Sequence, residues 1–454
     1  MKILFLVMLA FVNASYAQVL SPEILYKEVS APGSCHFDGC YDLKTVSERA
    51  GKVSFDSQEG SLDLFQARQT IKIRVGQLLP SFNLRIKNPI DVFDYIPNLV
   101  GFLFPSNWYR LKESKLHAKA QEYSFISLVA NQKSMGKGLY LSTHQEIISL
   151  KILENHIAFS SKLLELMNKR YEQGEVPYED LAELNAFNSL ILADKVTLES
   201  MVGQSSNDLA YLLTDVSSTQ TSGPTEVRLP ELTNLPKLNA KDFIEKVLQV
   251  SPELKSMVYL TAAARFSKKA RAYEFLTPES GTDNAFGFGY MANIRIGASE
   301  QEKLNIKKRA YETNLKKTLN ILIGQMNSAV EIHQYSISIE TSVKYILESL
   351  LSDFNASSKI DINRYISIIK ENLESQNMKY TAVHSYLLAK TQLERLLLES
   401  EEYVGIAKSI PVNNSSIDCY QKKENKMIKQ AVNSGELTVP DSLTFENDEL
   451  SFCL

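Results

Sequence analysis

The sequence predicts a mainly α-helical protein of long helical hairpins in two tandem copies, with short β-strands between the helices of each copy. Three observations lead there. Proline-free helical patterns run over about residues 109–170 and 300–351, far beyond the ~11–12 residues of an average globular helix. Only 18 glycines occur in 454 residues, which disfavours a fold of many tight turns. The order short helix, strand-like segments, long helix, break, returning helix occurs twice, an internal duplication with a period of roughly 180 residues.

The elements follow in chain order. Residues 1–17 read as a signal peptide: Lys2, then an apolar run, then small Ser15 and Ala17 before cleavage at Gln18. The run is shorter than the ~20 apolar residues of a spanning helix. No later segment is long and apolar enough to span as a helix either, so a place in a membrane requires strands. Residues 18–42 form an N-terminal segment with Cys35 and Cys40, and Cys419 and Cys453 lie in a polar tail, 405–454. Four cysteines in an exported chain imply disulfides that staple the termini, with three pairings open. Cys-x4-Cys with no second close pair is poor zinc spacing, and the six histidines are scattered; no metal or cofactor is expected. A formal net charge of -4 excludes a nucleic-acid partner as the expectation.

The first copy, 43–221, opens with a helix over about 43–75. Residues 81–87 alternate Phe82, Leu84 and Ile86 against polar positions that include Arg85, and a second strand is expected over 98–108. The long helix then runs to a break, RYEQGEVPYEDL. Gly174 suits the left-handed residue that ends a helix, and Pro177 suits the first turn of the returning one. Beyond it Leu184, Phe187, Ile191, Leu198 and Met201 recur at steps of three and four, a coiled-coil seam. Pro-rich residues 222–239 link the copies.

The second copy, 240–404, repeats the plan: a helix over 240–272, a thin strand over 271–280, and a fuller one over 285–297. The last puts Phe286, Phe288, Tyr290, Ala292, Ile294 and Ile296 on one face and Gly287, Gly289, Asn293 and Arg295 on the other. Apolar on one side and small or polar on the other suits a membrane barrel strand; a soluble sheet alternates alike, and export with helix length favours the barrel. The GFGYMA within it matches a dinucleotide fingerprint without the strand-then-helix context that the fingerprint needs. A polar break over 353–365 precedes a seam of Ala382, Tyr386, Ala389, Leu393 and Leu396. No nucleophile–base pair or phosphate loop appears, so no catalysis is expected.

This arrangement resembles the TolC-like outer-membrane efflux proteins over roughly residues 43–403. Tip sequences in that family read approximately R-Y/F-x-x-G-x-x-x-x-x-D-[LV], and Arg170, Tyr171, Gly174, Asp180 and Leu181 fit. Other similar pieces are RVGQLLPSFNL, LVGFLFPSNWYRLKESKLHAKA and VLQVSPELKSMVYLTAAARFSKKAR. The resemblance implies a homotrimer in the outer membrane of a Gram-negative bacterium. Each subunit would give four strands to a 12-stranded β-barrel and two hairpins to a periplasmic tunnel. It also implies a passive exit duct, served by an inner-membrane pump of the RND, ABC or MFS type and by a periplasmic adaptor. The adaptor would dock on the tips, at Arg170, Tyr171, Gly174, Val176, Pro177, Asp180 and Leu181 and at Ser357 and Ser358. Asp361 and Asn363 stand where an entrance gate is expected, with helix capping the alternative for Asp361, and Arg85, Asn293 and Arg295 would face the lumen. The competing reading is a periplasmic tether of long coiled coils without an open lumen.

Overall fold

The computed structural model describes residues 21–27, 29, 39–79, 101–213, 222–224, 229–230, 232–233, 235–276, 288–356 and 361–398. The first copy holds α1 (Leu43–Val53), α2 (Phe55–Gly76), α3 (Pro105–Glu172) and α4 (Tyr178–Leu212). The second holds α5 (Lys241–Val250), α6 (Pro252–Ala272), α7 (Phe288–Ala356) and α8 (Ile362–Leu397). Their lengths pair off as 11 and 10, 22 and 21, 68 and 69, 35 and 36 residues. The duplication expected from the sequence is thus present to within one residue in every helix. At 1.5 Å per residue the two long helices each reach roughly 100 Å.

Each opening helix is split where the sequence suggests one continuous run. Ser54 and Ser251 both leave helical geometry (φ -55, ψ 143 and φ -46, ψ 115), and their hydroxyls accept from the backbone N–H of Ser57 and Leu254. Pro252 is the first residue of α6, where its missing N–H costs nothing and its ring bars a helical Ser251. The breaks let the two parts pack on different partners. Val46 and Ala50 of α1 join Tyr140, Leu141, Leu209 and Leu213 in a core at the waist. The equivalent α5 sets Val247 among Leu315, Leu319, Leu322 and Leu393. α3 runs unbroken through Gly136, whose place is explained by α1: a Cβ there would stand 2.8 Å from the Ala50 Cβ. Leu184, Phe187 and Ile191 of the first seam and Ala382, Ala389, Leu393 and Leu396 of the second are buried, Leu198 and Tyr386 are half-buried, and Val202 rather than the exposed Met201 closes the seam on α4.

The strand expectations fare differently. Residues 81–87, with Arg85, lie outside the described residues. Of the second expected strand, Gly101–Leu103 is a 3-10 turn and everything from Pro105 is α3. Of the third, Arg271 and Ala272 end α6 and Glu274–Leu276 is a 3-10 turn. Of the fourth, every described residue, from Phe288 through Asn293 and Arg295 to Gly297, belongs to α7, which corrects the strand assignment of Asn293 and Arg295. The reason lies in two overlapping periods. Tyr290, Asn293, Ile294, Gly297 and Ala298 are spaced three and four apart and turn toward α6, while Met291, Arg295 and Ile296 face out. The Tyr290 hydroxyl donates to the Ala272 carbonyl at 2.7 Å, and a Cβ on Gly297 would meet the Lys268 backbone at 3.2 Å. The strands among the described residues are β1 (Gly39–Tyr41) and β2 (Ser222–Pro224), paired in parallel, so the N-terminal segment is held by the link between copies. No helix among the described residues is long and apolar enough to cross a membrane.

Candidate functional site

The sequence-predicted site lies at the turn between α3 and α4, and its local chemistry explains its shape. Gly174 has φ +76, the one positive-φ glycine among the described residues, and follows the C-cap residue Gln173. Its N–H donates to the Tyr171 carbonyl, and the Glu175 N–H reaches back to the Arg170 carbonyl, both at 2.9 Å. These bonds satisfy carbonyls that the end of α3 would otherwise leave open. Pro177 is extended and serves as the N-cap of α4, one residue earlier than expected. Lys169 and Arg170 end α3 while Glu179 and Asp180 begin α4, so each helix dipole meets opposite charge.

The expected tip residues divide into two groups. Val176 is buried, in a core with Leu163, Met167, Leu184, Phe354 and Tyr365. Arg170 also turns inward. Its guanidinium donates to the Phe354 carbonyl at 2.6 Å and lies 4.2 Å from the centroid of the Phe354 ring. Phe354 in turn meets the ring of Tyr365 edge-on, and the Tyr365 hydroxyl donates to the Leu350 carbonyl. Burial pushes the Tyr365 phenol up to about 12. The first tip is therefore clamped to the end of the second hairpin. The outward group is Tyr171, Gly174 and Pro177, joined by Tyr178, which sequence reasoning passed over. Tyr171 and Tyr178 are 42% and 65% exposed with ring centroids 6.0 Å apart, an exposed aromatic pair at the turn. Asp180 and Leu181 are half-buried.

Ser357 and Ser358 lie outside the described residues. Asp361 is exposed and is the N-cap of α8, its carboxylate accepting from the Arg364 N–H at 3.2 Å; Asn363 is exposed in the first turn. Cys40 lies in β1 and is not a free thiol; Cys35, Cys419 and Cys453 are outside the described residues.

Sequence spacing did not reveal a polar seam between α3 and α8. His144 and His384 are buried with ring nitrogens 2.9 Å apart, and the second nitrogen of His384 bonds the Tyr380 carbonyl. Burial, then the facing His384, hold His144 down at about 3, and burial lowers His384 as well. Further toward the tip His156 bridges the Ile152 carbonyl and Asn372, and Asn372 donates to the Tyr26 hydroxyl. His156 and Asn372 are 216 residues apart in the chain and Asn372 and Tyr26 346, so only packing brings them together. No group of three or more metal-ligating side chains occurs among the described residues.

Two tandem hairpins of this length, each preceded by a split helix, are the fold of the TolC-like outer-membrane efflux channels. No protein-family model matches the sequence, and no curated protein is similar to it by sequence. The likeness is one of structure. The CmeC outer membrane channel of Campylobacter jejuni superposes with a TM-score of 0.62 at 14% identity, over 81% of this chain and 88% of that one. CusC, solved in a study of conformational changes accompanying folding and transmembrane channel formation, gives 0.64 at 13%, over 84% and 97%. The outer membrane protein VceC of Vibrio cholerae gives 0.62 at 10%, over 78% and 96%.

Proposed function

We propose that the protein is the outer-membrane exit duct of a tripartite efflux or secretion system. It would conduct passively what an inner-membrane pump of the RND, ABC or MFS type delivers through a periplasmic adaptor. The observation that carries this reading is the pair of length-matched hairpins with one shared tip core, on a fold shared with solved outer-membrane channels. A homotrimer is supported by apolar side chains that one subunit leaves uncovered along its hairpins: Leu190 and Val196 on α4, Ile321, Ile332, Tyr335 and Tyr345 on α7. Such a stripe needs a neighbour, and three copies closing on one another would enclose a tunnel. The exposed pair Tyr171–Tyr178, with Pro177 between, is the anchor on which the adaptor docks, since rigid aromatics at a turn give large contact area at small entropic cost. Asp361 and Asn363 would line the entrance. The disulfides would tie the N-terminal segment and tail to the periplasmic waist, after removal of the signal peptide.

The 12-stranded barrel would be drawn from the links between α2 and α3 and between α6 and α7. The second link is about half as long as the first. A barrel strand crosses in ~9–11 residues, so four strands per subunit require the opening turns of α7 to become strand when the trimer closes. Extraction from outer membranes, particle imaging and planar-bilayer recording test the whole reading. A three-fold particle well over 100 Å long that conducts ions supports it. A non-conducting monomer or dimer, absent from the membrane fraction, would sink the duct and leave the tether.

A further inference from the structure

The end of the molecule opposite the tips brings together the last turns of α2 and α6 and the first turns of α3. Tyr109 stacks on Phe266 and Tyr273, with centroids 6.3 and 5.6 Å away, and Arg110 pairs with Glu274. Two properties of this end bear on what it meets. It exposes Ile73, Leu79, Leu103, Leu276 and Trp108, the single tryptophan of the protein, 48% exposed with its indole N–H donating to the Phe102 carbonyl at 2.8 Å. It is also densely basic, although the whole chain carries -4. Lys72, Lys112, Lys115, Arg265 and Lys269 all face solvent there. Among the described residues of this end the carboxylates are few: Glu274 is taken by Arg110, Glu300 by Arg271, and Glu113 lies between Lys112 and Lys115. The guanidinium of Arg110 is lowered by burial first and then by Arg74, which marks how closely positive charge is gathered. At the tips exposed Glu172, Glu175, Glu179 and Asp361 outnumber exposed Lys169 and Arg364.

From this juxtaposition we infer that the basic, aromatic-rimmed end seats on a bilayer surface rich in anionic phospholipid, with Lys72, Lys112, Lys115, Arg265 and Lys269 binding lipid phosphates and Trp108 at headgroup level. Long cationic side chains lay their stems along apolar surface and send their heads to phosphates, and indole prefers the same interfacial depth. Lys112 and Lys269 are already laid over the Phe266 ring, at 5.7 Å each. A second copy of the chain is a poor occupant, because the same face would oppose like charge with like. The inference rests on the outer-membrane reading above and adds which lipid the duct selects.

Trp108 is its own reporter. The full chain is reconstituted into bilayers containing either phosphatidylglycerol or phosphatidylcholine brominated high on the acyl chain, within an otherwise matched mixture. Quenching of the indole by the brominated anionic lipid should exceed quenching by the zwitterionic one, and high salt should narrow the difference. With each surface cation contributing roughly a fivefold preference, the variant K72Q/K112Q/K115Q/R265Q/K269Q should quench equally with both lipids. Equal quenching in the unsubstituted protein overturns the anionic selection. No quenching by either lipid, in bilayers that conduct, overturns the seating and leaves the duct standing. Failure to insert or conduct at all counts against the duct and the seating together.

Discussion

Arg170 lies in a stretch whose pattern suggested a docking surface, yet its side chain points into the subunit. Replacing it with Ala removes a charge-assisted bond to the Phe354 carbonyl and a cation–π contact. Together these predict a loss of about 2–3 kcal/mol, read as a lower denaturation midpoint for R170A. Arg170→Lys should recover only part, since an ammonium cannot both stack and bond. Substituting Tyr171 and Tyr178 together by Ala should leave that midpoint unchanged while weakening capture by the adaptor at least tenfold; loss of stability with intact capture would reverse the assignment. The His144–His384 pair carries a pH signature. Both imidazoles are held below their ordinary value, so between about 6.5 and about 3 the unfolded chain binds more protons than the folded one. Stability should therefore be full above pH 6.5 and fall as pH drops toward 3. Because His144 and His384 share one hydrogen bond, the double variant H144Q/H384Q should flatten that slope; an unchanged slope would place the titration elsewhere. None of these partnerships could be read in the sequence, because a side chain's direction at a helix end depends on what packs there. Gly174 could be read, because its conformation is local.

At the scale of elements, the long helices, their break and the duplication were legible, since each depends on spacing within a single segment. The splits at Ser54 and Ser251 were only half legible. Ser251-Pro252 is an open signal for a cap and a helix start, whereas Ser54 sits in a run whose break is explained by the crossing of α1 over Gly136. Ser54→Ala and Ser251→Ala should each cost about 1 kcal/mol, measurable as parallel shifts in chemical denaturation. Residues 288–297 are the instructive failure: their alternation is real, but the same residues also satisfy helical spacing, and contacts with Lys268, Arg271 and Ala272 favour the helix. Single cysteines placed along this stretch decide what happens in the membrane. Labelling that alternates every second position in the inserted protein means conversion to strand; a repeat of three to four means that α7 keeps its full length and the barrel has fewer than four strands per subunit.

For the whole molecule, the sequence carried the class of architecture but not its closure. The seams that pack α3 on α4 and α7 on α8 announce themselves as buried periodic positions. The uncovered stripe does not, because Val196, Ile332 and Tyr335 cannot be told from core positions until the hairpins are folded and these are left over. Glu at Ile332 and Tyr335 together (I332E/Y335E) should yield folded, helical monomers by sedimentation, whereas retained trimers would show that the copies meet through another face.

The near-identity of α3 and α7 in length has a consequence for how such a chain can change over generations. Two struts of 68 and 69 residues end level with one another, and Arg170 fastens one foot to the other. Seven residues gained in one strut alone would lower its foot by about 10 Å, detach the arginine from its carbonyl and tilt the base. Growth or shortening therefore keeps the clamp in place only when both hairpins change by the same amount.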